Sequence, residues 1–139
     1  MSKNNLKLFT HWNSVCAQRV RIALNLKKIE HELVPLSVNS QMTIATINPM
    51  HQVPVLSHND QHIAESMAIL HYVNGLSTEI NLFPKDSLMF AKVMNVCEIV
   101  NSHMQPQTGF RVFRQLRAQF QLTNEQKTVW AHNFLHAGF

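Results

Sequence analysis

The sequence predicts an α/β domain over residues 1–81, a linker at 82–87 and an all-helical part over 88–139. Three observations predict this. Residues 7–26 read as a short apolar strand, a polar turn and a helix. Residues 52–64 read as an apolar strand broken by Pro54, a polar turn and a returning strand. From Ser87 onward no stretch alternates as a strand does, and apolar residues recur only at helical spacing.

Leu8 and Phe9 form the first strand, and Val15, Val20, Ala23 and Leu24 mark the buried stripe of the first helix. Ser14 is placed to cap that helix, and Lys27 with Lys28 gives it a basic last turn that complements its dipole. Residues 29–36 alternate apolar and polar side chains, as a second strand does. Residues 37–47 are a loop or a short helix, ended by Asn48 and Pro49. Val53-Pro54 is a candidate cis bond, which would turn the Val53 backbone outward to where a peptide could pair with it. The turn at 58–61 leads to a strand at 62–64, and Glu65 and Ser66 open a helix ending near Gly75. The order is therefore β-α-β-(α)-β-β-α. A helix over 89–104 follows, ended or bent at Gln105 and Pro106. Phe110, Val112, Phe113, Leu116 and Phe120 extend the helical pattern. Thr123 and Gln126 form a capping box for a last helix carrying Trp130, Phe134 and Leu135.

With 45% hydrophobic and 14% charged residues, the composition is that of a packed globular chain. No apolar run is long enough to span a bilayer, and the polar N-terminus is unlike a secretory signal. The two cysteines, Cys16 and Cys97, lie too far apart to suggest a metal or disulfide framework, so a reducing cytoplasm is the expected setting. The net charge of +4 is mildly favourable for small acidic ligands, but the basic residues are dispersed and lack the aromatic interleaving of a nucleic-acid binder. Arg111, Arg114 and Arg117 share a helical face read as solvated. His132 and His136 have a spacing that metal ligands use, yet no acidic residue accompanies them, so no metal is expected.

The start of the first helix is where chemistry is expected. Its leading N–H groups are unpaired and carry partial positive charge, an environment that stabilises a thiolate. Ser14 and Cys16 both stand there, and an external thiol beside the Ser14 hydroxyl would benefit equally. A capped helix with a buried, inert cysteine fits these residues as well.

The motifs in order are Trp12-x-Ser14-x-Cys16-x-x-Arg19-Val20-Arg21-Ile22-Ala23-Leu24, then Asn48-Pro49-Met50-x-Gln52-Val53-Pro54, then Glu65-Ser66-x-Ala68-Ile69. Leu82-Phe83-Pro84 and Gln105-Pro106 follow. This series resembles the zeta-class glutathione transferases, which include maleylacetoacetate isomerase. The resemblance implies a thioredoxin-like N-terminal domain that binds glutathione and a helical C-terminal domain, incomplete here, that serves the second substrate. It implies Ser14 and Cys16 as catalytic residues. Glutathione contacts would come from Ser14, Val15, Cys16, Ala17, Gln18, Arg19, Gln52, Val53, Glu65, Ser66 and Gln105. Val53 would pair with the cysteinyl part. Glu65 would hold the γ-glutamyl ammonium, Ser66 its carboxylate, and Gln105 would reach in from the helical domain.

The implied activity is glutathione-dependent cis–trans isomerisation of maleylacetoacetate type, in tyrosine and phenylalanine catabolism, with transferase activity toward a small acidic electrophile. A homodimer, a cytoplasmic location and no nucleic-acid or membrane partner are implied with it. Two other readings remain open: a thiol transferase with Cys16 as nucleophile, and a non-catalytic binding or dimerisation module. This chain departs from the family in having Val15 where a second serine is frequent, Gln18 where tryptophan is, and a shorter 37–47 loop. Family members also continue through further helices beyond residue 139. Ending there, the chain is expected to be a fragment or a shortened protein with its exposed face covered by another subunit.

Overall fold

The structure is a computed structural model that describes residues 5–37 and 41–138. Residues 38–40 of the expected 37–47 loop, the polar N-terminus up to Asn4, and Phe139 lie outside the described residues. The chain divides between Leu82 and Phe83 into two compact units.

In the first unit, β1 (Leu6–Thr10), α1 (Val15–Leu26), β2 (Glu32–Pro35), α2 (Gln41–Ile47), β3 (Val55–His58), β4 (Gln61–Ala64) and α3 (Ser66–Leu76) follow one another. The four strands form one mixed sheet in the order β2-β1-β3-β4. β1 and β2 are parallel, as a crossover through α1 requires, while β1–β3 and β3–β4 are antiparallel. This is the thioredoxin-like arrangement that the resemblance implied.

The core follows from periodicity. β1 buries alternate residues, Leu6, Leu8 and Thr10. Val20 and Leu24 of α1, and Ile69 and Val73 of α3, are spaced i, i+4 and close over Leu6, Leu8 and Leu56. Each such side chain stabilises the fold by about 1.5–3 kcal/mol relative to exposure. The β3–β4 turn places Asn59 and Asp60 at φ of 49° and 62°. Both central residues have positive φ, the geometry that matches the twist of a tight hairpin. α1 ends in a Schellman motif, with Ile29 N–H on Leu24 O and Lys28 N–H on Asn25 O, both at 3.0 Å. Lys28 takes the left-handed position there, at φ 53°.

Three local expectations need correction. Pro54 is not inside a strand: the Val53-Pro54 bond is cis and precedes β3, which begins at Val55. β2 is shorter than the alternation over 29–36 implied, because Ile29 serves the end of α1. Lys27 does not complement the helix dipole from solvent. It is buried, and its Nζ donates to Ser77 O at 2.7 Å and to Ile80 O, tying the end of α1 to the loop after α3.

The second unit contains α4 (Ser87–Glu98), a π-helical segment (Ile99–Met104), α5 (Gln105–Thr108), α6 (Phe110–Phe120) and α7 (Asn124–His136). The expected single helix over 89–104 therefore changes its winding at Ile99. Pro106 has no N–H and crowds the carbonyl four residues back, so the wider turn ahead of it relieves a conflict that regular helix would create. Asp86 caps α4 through Met89 N–H at 2.8 Å. The capping box of α7 forms as expected, Thr123 Oγ1 accepting from Gln126 N–H and Gln126 Oε1 from Thr123 N–H. Trp130 Nε1 donates to Gln107 O at 2.9 Å and holds α7 against α5.

Candidate functional site

Strand register decides which connections meet. Phe9 of β1 pairs with Val55 of β3, which pairs with Ala64 of β4. At that one end of the sheet the chain leaves β1 for α1, enters β3 from Val53-Pro54, and leaves β4 for α3. Leu36 N–H, just beyond β2, bonds Thr10 O at 2.8 Å at the same end.

The turn into α1 is closed by hydrogen bonds to His11. Ser14 N–H donates to His11 O at 3.1 Å, and Asn13 N–H to His11 Nδ1 at 3.3 Å. Ser14 has the extended backbone of an N-cap, and its Oγ accepts Ala17 N–H at 3.2 Å. Ala17 thus spends its amide on the cap and turns its methyl into the core. Val15 and Gln18 are exposed, and Ser14, Cys16 and Arg19 are half-buried. The Val15 and Cys16 amides precede the first intrahelical bond and point out of the helix start.

The approach to Val53 is organised by Asn48, which is buried. Its Nδ2 donates to Gln52 O at 2.8 Å, and its Oδ1 accepts Met50 N–H at 3.0 Å. Gln52 is exposed and Val53 half-buried. At the third connection Glu65 has φ 66° and ψ 117°, a conformation that costs a residue with a side chain on the order of 1–3 kcal/mol. Glu65 is exposed and Ser66 buried, at the first position of α3. Neither α1 nor α3 carries an acidic residue in its first turn, and Glu65 stands at the N-cap of α3, so the α1 N-terminus is the one left without an adjacent carboxylate of its own.

The structure brings Ser14, Cys16, Arg19, Gln52, Val53, Glu65 and Ser66 to this end of the first unit. Gln105 belongs to the second unit, where it opens α5 and donates its N–H to Val100 O. The described residues contain no group of three metal-ligating side chains and no helix long and apolar enough to cross a membrane. Two residues that support the site were not singled out for that role by the sequence reading. Asn48 could have been found from the Asn-Pro pair, since asparagine bonds the backbone two residues on. Arg21 could not: its guanidinium donates to Thr10 Oγ1 at 2.6 Å, His11 O at 3.2 Å and Trp12 O at 3.3 Å.

A family model described as the N-terminal domain of glutathione S-transferase matches residues 4–75. Glutathione S-transferase Z2 of Arabidopsis thaliana is 37% identical over 138 residues, a match covering 96% of this chain and 61% of that one. Maleylacetoacetate isomerase of Mus musculus is 33% identical, with 95% and 61% covered. Among solved structures, a Methylobacterium maleylacetoacetate isomerase with bound malonate and glutathione superposes with a TM-score of 0.88 at 31% identity. That match covers 95% of this chain and 64% of the other. The chain spans about 61% of the length of the curated relatives named here.

Proposed function

We propose that this chain binds glutathione and holds its thiol as a thiolate, from a plain premise: it belongs to the glutathione S-transferase family. The observation that carries the reading is the bonding of Ser14. Its Oγ accepts the Ala17 amide, which leaves the hydroxyl proton to donate toward an anion at the helix start. Accepting one bond polarises the hydroxyl and strengthens the bond that it gives.

The donor set suits glutathione along its length. Ser14, with the Val15 and Cys16 amides, suits the sulfur. The Val53 backbone suits pairing with the cysteinyl unit. The Glu65 carboxylate suits an ammonium, and Ser66 at the start of α3 suits the adjacent carboxylate. Glutathione supplies a sulfur nucleophile that can add to a conjugated double bond and leave again. The chain's own residues keep the sulfur ionised and oriented, so that its attack is effectively intramolecular. The substrate class we assign is a small acidic electrophile of maleylacetoacetate type, and the reaction is cis–trans isomerisation in aromatic amino-acid breakdown. A cytoplasmic homodimer accompanies this reading.

Calorimetric titration with glutathione, followed by a maleylacetone isomerisation assay, tests the proposal. Binding with turnover that Ser14→Ala reduces far more than Cys16→Ser is the expected result. No binding at millimolar glutathione in a folded sample would overturn it. Half-burial of Cys16 in the first turn of α1 favours one second reading, a thiol transferase. In that case Cys16→Ser would abolish activity and Ser14→Ala would spare most of it.

A further inference from the structure

We propose that Arg21 is a positioning residue that braces the β1–α1 turn and fixes the Ser14 hydroxyl against the glutathione sulfur; this rests on the glutathione reading above. Arg21 lies two turns into α1, yet its side chain runs back to the strand end that precedes the helix. Its Nη1 reaches Thr10 Oγ1 at 2.6 Å and His11 O at 3.2 Å, and its Nη2 reaches Trp12 O at 3.3 Å. One guanidinium therefore ties together three consecutive residues.

The His11 carbonyl is the link to the site. It accepts from Arg21 and, on its second lone pair, from Ser14 N–H at 3.1 Å. The bonded series runs from Arg21 through His11 O to the Ser14 amide, and from Ser14 Oγ to Ala17 N–H. Ser14 is an extended residue at a helix start, with only this bond holding its amide, so freeing the turn frees the direction of its hydroxyl. Thr10, the closest anchor, is buried at the end of β1 and does not move with the turn. All three acceptors are neutral oxygens, and bonds to them from a charged donor are stronger than neutral ones.

The planar fork matters more than the charge. A lysine at this position would keep a cation but could not span two carbonyls and a hydroxyl from one rigid plane. A displacement near 1 Å at a reacting centre lowers rate by about 100-fold.

Two substitutions test the brace on the full chain. Arg21→Lys keeps the charge and removes the fork, and Thr10→Val keeps Arg21 and removes its shortest bond. The first readout needs no glutathione: the hydrogen-exchange rate of the Ser14 amide, with thermal melting as the control for folding. The second is the pH midpoint of the bound glutathione thiol, followed by ultraviolet absorbance. Ser14 exchange is expected to rise about tenfold or more in Arg21→Lys and less in Thr10→Val, and the midpoint to rise by about one pH unit in Arg21→Lys. Unchanged Ser14 exchange in both variants overturns the brace. Faster exchange with an unmoved midpoint overturns its effect on the thiol. If wild-type protein leaves the bound thiol un-ionised at neutral pH, the glutathione reading falls and takes the inference with it. That result is distinguishable because the exchange data stand apart from it.

Discussion

The two units bury apolar side chains to very different extents. In the first, seven core residues from two strands and two helices close over one another, and six of them are 0% exposed: Leu8, Val20, Leu24, Leu56, Ile69 and Val73 share that core with Leu6. In the second, the described residues bury Met104 and Phe113, while α4 and α7 bury none. Phe110 and Phe120 stand 77% and 70% exposed. Helix geometry in the second unit is held instead by individual bonds: the Asp86 cap, the Thr123 capping box and one indole link. A rigid core under the β1–α1 turn keeps three chain connections in register. Local caps keep a helix in shape without fixing its neighbours, so the first unit is the one built to hold a site.

The strongest way to break this contrast is to cut matching apolar side chains from both units. Leu8→Ala should cost about 2–5 kcal/mol in urea unfolding, because a closed core cannot collapse around the gap. Val96→Ala, on an exposed position of α4, should stay within about 0.5 kcal/mol. Equal losses would show that α4 is packed after all. Next in size is Lys27→Met, which keeps the stem and removes the ammonium from the Ser77 and Ile80 carbonyls. A loss of about 1.5–3 kcal/mol is expected, since bonds to charged groups exceed neutral ones.

Ser14→Ala and Thr123→Ala remove the same kind of cap from the two units. Each should cost about 1 kcal/mol by thermal or urea unfolding. Only the first should also weaken the ionisation of bound glutathione. One small effect is a gain. Lys28→Gly should stabilise the first unit by about 0.5–1 kcal/mol, because glycine adopts the left-handed end of α1 without a Cβ penalty. A loss there would mean that the Lys28 side chain contributes more than its backbone costs.

What the sequence made legible follows the range of the interaction. Periodicity and caps are local, so the strand–helix order, the Ser14 cap and the Thr123 box could be read residue by residue. The sheet-end convergence of the three connections depends on register, which only β1 pairing with β3 and β3 with β4 supplies. Lys27 and Arg21 defeated the reading for one reason. A basic residue at a helix end or on its flank reads as solvated, and nothing nearby in sequence indicates the distant carbonyls that Lys27 meets. Pro106 announced a break, but the π-helical widening ahead of it is a response of the backbone that no residue pattern encodes. The backbone of Glu65 was equally invisible, since glutamate gives no hint of positive φ.

The central claim is that the Ser14 hydroxyl, held by its cap to Ala17, keeps a bound glutathione sulfur ionised. Ultraviolet difference spectra on adding glutathione at neutral pH, for wild-type protein and Ser14→Ala, measure it directly. The account predicts a thiolate band in the wild-type spectrum and its loss in the variant, with both proteins folded and binding. An equal band in both, or none in wild type despite binding, would contradict it.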